Sequence, residues 1–353
     1  MITRFKLSGY RIFEDLDIEF SPGVNIVIGD NEAGKSTLLE ALTLVLTGRI
    51  DGRYAHDALN PYWFHQGQVE RFYSDIRSGS DAHLPTITLE VFLDNSIDEL
   101  QHLRGANNSL RDPVPGLKLT IAPEQDYVRE LDDYCKDPAN PILIPTEYYS
   151  VDWRDFADEP LWGGRRPRDV SVIRIDSRTY QGSSGLRQFT RGLIIDNLES
   201  AVRAATSVSH RNAVAQTTSQ PLSAINAAIS ADVMGLHDEI IELQMDQSAN
   251  SSWEEGVIPH VANVPFDLAG QGQQTAIKLG LALNRSSVNR TCIQVEEPEN
   301  HMSFTSLSRL VARIEAQASE RQTFITTHSS FVVNRLGLDS VKLLSRGRLA
   351  TLL

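Results

Sequence analysis

The residues with the clearest chemistry lie near the N-terminus, where the sequence GDNEAGKST matches the spacing G-x-x-x-x-G-K-[ST] of a phosphate-binding loop. Its glycines let the backbone curl around an anion, and successive N–H groups then face the phosphates. Lys35 is predicted to reach the β- and γ-phosphates, and Ser36 to hold Mg²⁺. The predicted nucleotide-binding residues are Gly29, Asn31, Glu32, Ala33, Gly34, Lys35, Ser36 and Thr37.

The flanking segments have the character that such a loop requires. Residues 24–28 (VNIVI) form a short β-branched run typical of a buried strand. Residues 36–47 (STLLEALTLVLT) are apolar at helical spacing and stop at Gly48. The alternative, a glycine turn before an ordinary helix, does not explain why all three parts occur together, so a nucleoside triphosphate, ATP, is the predicted ligand.

A second set of polar residues follows two apolar segments in the C-terminal part. Residues 292–297 (CIQVEE) read as a strand that ends in two carboxylates. Glu296 is predicted to hold Mg²⁺ and Glu297 to act as the catalytic base; the alternative is an acidic loop after a core strand. His328 follows the strand-like residues 323–326 and is predicted to contact the γ-phosphate, against the alternative of a structural histidine.

A third feature is the sequence LAGQGQQ at residues 268–274, which runs into a predicted helix at 273–283. Small residues at the start of a helix can form a second anion site, here with Gly270, Gly272 and Gln274. The alternative is a flexible turn.

The elements that must position these residues alternate between strands and helices. Residues 2–20 predict two antiparallel strands, and 86–94 and 170–175 predict single strands. Residues 49–83 read as polar and loop-rich, and 96–170 as an insertion with short strands such as 118–122 and 142–145. Residues 185–247 predict amphipathic helix.

The C-terminal part predicts a strand at 292–295, a helix through Leu307, Leu310, Val311 and Ile314, a strand at 323–326 and a hairpin of 341–344 with 349–352. The pattern favours an α/β fold with a mainly parallel sheet. The predicted domains are an N-terminal lobe (1–180), a helical insertion or dimerisation arm (181–260) and a C-terminal lobe (261–353).

The composition excludes several classes of protein. The 353 residues are 41% hydrophobic and 22% charged, as in soluble globular proteins, and no apolar run approaches the roughly 20 residues of a membrane span. Two cysteines and a strand-like N-terminus predict a cytoplasmic protein without a membrane. A net charge of −13 argues against binding nucleic acid over the whole surface, although it leaves a local basic groove open.

The order of these motifs resembles the ABC ATPase head of the SMC-like group, a P-loop NTPase fold with a mixed sheet and a helical insertion. Within that group the chain resembles the overcoming-lysogenisation-defect (OLD) family, through GDNEAGKSTLLEAL, VEEPENHMS and FITTHSS. The resemblance implies that two copies close on ATP, each offering its 268–274 loop to the other. The signature serine is absent, Met302 replaces a leucine, and Gln66, Gln68 and Gln181 all remain candidates for the Q-loop.

OLD nucleases carry a Toprim module after the ATPase, and too few residues follow His328 to form one. We therefore expect a nuclease or toxin effector in trans or as a missing C-terminal module. The main hypothesis is a Mg²⁺-dependent ATPase that gates such an effector in anti-phage defence or DNA metabolism. The alternatives are a DNA-repair or recombination ATPase of the SMC-like type, with DNA as a possible partner, and a nucleotide-sensing scaffold with little turnover.

Overall fold

The computed structural model describes most of the chain. The residues left undescribed are 138–139, 163–169, 177–189, 192–193, 196–197, 234–241, 247–252, 271–272, 275–276, 278–289, 301, 318–320 and 351–353. The chain divides into two compact units, residues 1–177 with 271–353, and residues 178–270.

The strands are numbered in chain order. They are β1 Ile2–Tyr10, β2 Phe13–Glu19, β3 Val24–Gly29, β4 Arg49–Ile50, β5 Arg53–Tyr54, β6 Ile87–Leu93, β7 Arg104–Gly105, β8 Val114–Pro123, β9 Tyr149–Asp155, β10 Val170–Asp176, β11 His260–Val261, β12 Val264–Pro265, β13 Arg290–Glu296, β14 Thr323–Thr326, β15 Val341–Ser345 and β16 Arg348–Ala350. The helices are α1 Lys35–Thr47, α2 Ala55–Ala58, α3 Gln66–Ser78, α4 Val128–Lys136, α5 Ser200–Val233, α6 Phe304–Gln317 and α7 Ser330–Leu336.

The first unit contains the sheet that carries the predicted site. Its strands lie in the order β10-β13-β14-β3-β15-β16, and they are parallel except for the closing β15–β16 hairpin. Parallel strands place all their carboxyl ends at one edge, which is where ligands bind in open α/β sheets. Glu296, Thr326 and Gly29 end three of these strands, so the predicted catalytic residues come to one edge of the sheet.

A second, antiparallel sheet has the order β2-β1-β6-β8, and β8 also pairs with β7 and β9. Helix α1 contacts strands of both sheets. Its Leu39, Leu42 and Val45 are fully buried, and each such side chain contributes about 2 kcal/mol of hydrophobic stabilisation. A hydrogen bond of 2.8 Å from Trp153 Nε1 on β9 to the carbonyl of Val45 also joins α1 to the antiparallel sheet. The helix that follows the phosphate-binding loop is therefore held on two sides.

The opposite face of the parallel sheet is covered by α6 and α7. Leu307, Leu310, Val311 and Ile314 of α6 are buried against Ile26, Ile293, Val295 and Ile325 of the sheet. The predicted helical face of 307–314 is thus confirmed.

The second unit is dominated by α5, which is 34 residues long and contains Pro221. Asn226 of this helix accepts a hydrogen bond of 2.8 Å from Leu243 N and donates one of 3.1 Å to the Leu243 carbonyl, so Leu243 lies against the helix. Within the predicted range 185–247, helix is confirmed for Ser200–Val233, whereas the described residues 242–246 are not helical. The predicted amphipathic character is not confirmed, because apolar side chains of the predicted face such as Val202 and Ile225 are exposed. Among the described residues, no helix is long and apolar enough to cross a membrane.

Two sequence-based predictions are wrong. Residues 142–145 form no strand: Leu143 N bonds to the carbonyl of Pro141 at 2.8 Å in a tight turn, and Pro145 has no N–H for a sheet. Residues 49–83 are not only loop, because α3 buries Val69, Phe72 and Tyr73 at helical spacing. The predicted helix at 273–283 lies largely outside the described residues.

Candidate functional site

The phosphate-binding loop connects β3 to α1, and both of its motif glycines are required by close contacts. A Cβ on Gly29 would lie 2.3 Å from the carbonyl oxygen of Leu344, and one on Gly34 would lie 2.8 Å from Cζ of Phe13. Gly34 also has a φ of 101°, in the left-handed region that disfavours other residues. The loop is therefore packed between the β15–β16 hairpin and the β1–β2 turn.

Lys35 lies at the mouth of this loop, with its side chain turned back over the loop. Its Nζ donates to the carbonyls of Gly29 at 2.9 Å and Asp30 at 3.0 Å, and it lies 2.9 Å from Nε2 of His328. An ammonium group can only donate, so Nε2 of His328 accepts in this contact. The structure thus brings together two predicted site residues that lie 293 positions apart in the chain.

Glu297 follows β13 and faces the same histidine. Its Oε1 lies 3.4 Å from His328 Nε2, and its Oε2 accepts a hydrogen bond of 2.6 Å from Asn300 Nδ2. The backbone of Glu297 has a φ of 43°, a left-handed conformation that is uncommon for residues other than glycine. Such conformations cost free energy and cluster at functional sites, in keeping with the predicted role as the catalytic base.

Glu296, at the end of β13, is only 6% exposed and pairs with Arg174 of β10. Arg174 Nε and Nη2 both lie 2.6 Å from Glu296 Oε1. A buried carboxylate needs a counter-charge, and the guanidinium supplies one.

The remaining residues of the loop differ in exposure. Asn31, Glu32 and Ser36 are exposed, Thr37 is half-buried, and Ala33 is 3% exposed. Exposed donors and hydroxyls beside Lys35 are accessible to a phosphate, so their predicted roles in ATP binding are compatible with this placement. Those roles remain predictions.

The donor types also fit Mg²⁺. This ion is usually held by one or two carboxylates together with phosphate oxygens and water, rather than by a closed protein cage. Within the described part of the chain, no three His, Cys, Asp or Glu side chains form a ready metal cluster. The Ser36 hydroxyl and the Glu296 carboxylate, both at the carboxyl edge of the sheet, are the residues that would hold the ion with the nucleotide.

The 268–274 loop is described only in part. Gly270 is exposed, with open space where a Cβ would stand, and Gln274 is half-buried. Gly272 lies outside the described residues, as does the Q-loop candidate Gln181. The binding roles of Gly270, Gly272 and Gln274 therefore stay predictions.

The sequence analysis gave no role to Arg174, Glu299 or Asn300. The last two lie in the phrase EEPEN, so their closeness to Glu297 was a signal that could have been used. Arg174 had no such signal, because its contact with Glu296 arises from the pairing of β10 with β13.

The chain matches two protein families. Residues 138–334, more than half of the chain, match the family described as "AAA domain, putative AbiEii toxin, Type IV TA system", and residues 4–119 match one described as "AAA domain". The chain belongs to the AAA-domain family of ATPases. This AAA-domain protein has the α/β P-loop ATPase fold that the sequence predicted.

The AAA-domain protein is similar to the DNA replication and repair protein RecF of Lactobacillus delbrueckii subsp. bulgaricus, over 92% of this chain and 90% of that protein. The identity over 379 residues is 25% for one strain and 44% for another. Both are RecF proteins of one subspecies, so the identity to this chain is at least 25%.

A shorter likeness, 33% identity over 92 residues, relates 26% of this chain to the DNA double-strand break repair Rad50 ATPase of Methanopyrus kandleri; the chain spans 10% of that relative. Among solved structures, one described as the recombination mediator protein RecF-ATP in the RecFOR pathway aligns with 100% of this chain and 99% of its own, at 10% identity and a TM-score of 0.48.

Proposed function

We propose that this protein binds and hydrolyses ATP with Mg²⁺ and that it acts in DNA repair or recombination, in the manner of ATPases of the SMC and RecF type. The observation that carries the ATPase part is the convergence of Lys35, Glu297 and His328. These three side chains come from three different segments and meet at the mouth of the phosphate-binding loop.

Each residue has a definable part in the proposed reaction. The Lys35 ammonium and the loop amides neutralise the phosphates, and His328, in contact with Lys35, contacts the γ-phosphate. Glu297 orients or deprotonates a water molecule in this proposal, which is supported by the hydrogen bond of 2.6 Å that Asn300 donates to its carboxylate. When bound, Mg²⁺ would neutralise charge on the phosphate oxygens from the side of Ser36 and Glu296.

The ATPase part is tested by phosphate release from ATP with Mg²⁺ and with EDTA. Glu297→Gln should abolish turnover but leave ATP binding intact. Glu315→Gln, the same chemical change on an exposed side chain of α6, is the matched control and should behave like the wild type. Absence of Mg²⁺-dependent release by the wild-type protein, with or without DNA, would favour the nucleotide-sensing scaffold and refute the proposal.

The DNA part rests on the relatives, since the RecF and Rad50 proteins are both described as DNA repair proteins. DNA should stimulate hydrolysis, and rising salt should abolish the stimulation because contacts to phosphates release counterions. With a net charge of −13, binding requires a local surface, so the salt slope should correspond to few contacts. DNA-independent turnover at low salt would count against this part alone.

We also propose that two copies close on ATP, with the 268–274 loop of each copy completing the site of the other. This proposal rests on the resemblance of the 268–274 loop to the signature loop of ABC-type ATPases, and the narrower resemblance to the OLD family likewise stays a prediction. Glu297→Gln should accumulate as an ATP-dependent dimer or higher oligomer, measured by light scattering. A monomer at saturating ATP would contradict it.

A second candidate function is ATP-controlled gating of a nuclease or toxin effector. The description of the matched family, which includes a putative toxin, favours it, although the relatives favour DNA repair. Identifying the protein that co-purifies with this one distinguishes the two functions. An effector whose activity depends on whether ATP is bound would support gating.

A further inference from the structure

Glu299 connects the two loops that carry the proposed catalytic residues. Its Oε1 accepts a hydrogen bond of 2.8 Å from Thr327 Oγ1 and another of 2.7 Å from the backbone N–H of His328. Glu299 lies in the turn after β13, two residues beyond Glu297, whereas Thr327 and His328 follow β14. One carboxylate oxygen therefore joins the segment of the proposed base to the segment of the histidine.

The hydroxyl of Thr327 donates to Glu299 and accepts from the backbone, so it extends this link by one hydrogen bond. Thr327 is completely buried, and its Oγ1 also accepts a hydrogen bond of 2.9 Å from Ser329 N. A hydroxyl has one proton to donate, and here it is donated to Glu299. Glu299 thus sets the orientation of Thr327, and Thr327 in turn holds the backbone on the far side of His328.

The consequence reaches the histidine ring. With its backbone held by Glu299, His328 places Nε2 at 2.9 Å from Lys35 Nζ and at 3.4 Å from Glu297 Oε1. The histidine side chain is 40% exposed, so little packing of its own fixes the ring. Backbone bonds also hold Thr327 and Ser329, but the bond from His328 N to Glu299 is the side-chain contact that fixes the backbone of His328 itself.

We propose that Glu299 is a positioning residue for His328, and that it acts on hydrolysis only through that histidine. The inference rests on the proposed ATPase function. The competing explanation is purely structural: Glu299 stabilises the loop ahead of α7 with no effect specific to the site. Only the first explanation predicts that the effect of Glu299 disappears when His328 is absent.

The carboxylate offers a conservative variant. Its other oxygen, Oε2, is buried and has no hydrogen-bond partner among the described residues. Glu299→Gln keeps an acceptor oxygen for Thr327 and His328, while Glu299→Ala removes it. Both bonds become neutral and weaker in the glutamine variant, so the order of activity should be wild type, Gln, Ala.

The experiment measures kcat and KM for ATP in a double-mutant cycle with His328→Ala. Glu299→Ala should lower kcat about 10- to 100-fold, the range for losing a hydrogen-bonded support of a functional side chain, with KM changed less than about threefold. Glu299→Gln should recover most of kcat. In the His328→Ala background, Glu299→Ala should cost less than about twofold, since residues that act as one unit are not additive.

An equal loss in both backgrounds would overturn the proposal, as would an unchanged kcat in Glu299→Ala. If the wild-type protein hydrolyses no ATP, the proposed function fails on its own, and the inference is then judged from ¹⁵N imidazole NMR signals of His328, assigned with the His328→Ala variant. Those signals should shift in Glu299→Ala and return towards wild type in Glu299→Gln. Unshifted signals would refute the positioning role without any reference to activity.

Discussion

The ion pair of Arg174 and Glu296 tests how strongly burial changes the contribution of an ion pair to stability. Arg174→Met keeps a long side chain but removes the guanidinium from a carboxylate that is 6% exposed. Breaking a buried ion pair by deleting one partner typically costs 3–5 kcal/mol, and the 24% exposure of Arg174 lets water enter and reduces this. We expect a loss of about 2–3 kcal/mol in the free energy of unfolding.

A matched control exists on the antiparallel sheet. Arg4 contacts both carboxylate oxygens of Asp17 at 2.6 Å, the same distance as in the buried pair, but the two side chains are 32% and 38% exposed. Arg4→Met should cost less than about 1 kcal/mol, the usual value for a surface pair. The two pairs share the same nitrogen–oxygen distance, differ in that Arg174 contacts one carboxylate oxygen and Arg4 two, and differ most in burial.

Urea denaturation of Arg174→Met, Glu296→Gln and the double variant gives the coupling between the two residues. In the Glu296→Gln background the buried charge is absent, so Arg174→Met should cost about 1 kcal/mol or less. If Arg174→Met is no more destabilising than Arg4→Met, or if its cost is the same in both backgrounds, the reasoning from a buried, compensated charge is wrong.

Gly347→Ala should destabilise the protein by about 2 kcal/mol, because φ is 73° and a Cβ would lie 2.5 Å from the carbonyl oxygen of Ile12. It should also weaken ATP binding, because the Gly347 N–H bonds at 3.2 Å to the carbonyl of Ala33 in the phosphate-binding loop. Calorimetry measures both effects, and undiminished ATP affinity would contradict the second. Burial raises the pKa of the Cys135 and Cys292 thiols, so both should react slowly with a disulfide reagent at pH 8 until urea unfolds the protein, and rapid native labelling would disprove their burial. Asn300→Ala should lower kcat about tenfold by releasing the Glu297 carboxylate, and an unchanged kcat would show that the 2.6 Å bond has no catalytic role.

Local segments of the fold were predictable because their signals are local. The strand, glycine loop and helix of residues 24–47 depend on neighbours within a few positions, and they appear as β3, the loop and α1. The two wrong predictions, for residues 142–145 and 49–83, arose because the local signal was misleading. Residues 142–145 are apolar enough for a strand, but Pro141 precedes them and Pro145 ends them. The polar neighbours of Val69 and Phe72 hid the apolar face of helix α3.

By itself the sequence determined the phosphate-binding loop motif and the residue types predicted to contact phosphate, metal and water, because that pattern belongs to residues at short spacing. Only the tertiary structure decided which of them meet. The order β10-β13-β14-β3 puts β14 between the strands that carry Glu296 and the phosphate-binding loop, so His328 comes between Lys35 and Glu297. The same strand order brings Arg174 into contact with Glu296, and Glu299 into contact with the backbone of His328. Strand order depends on how the helices and the antiparallel sheet pack around the parallel one, and that packing is a property of the whole chain.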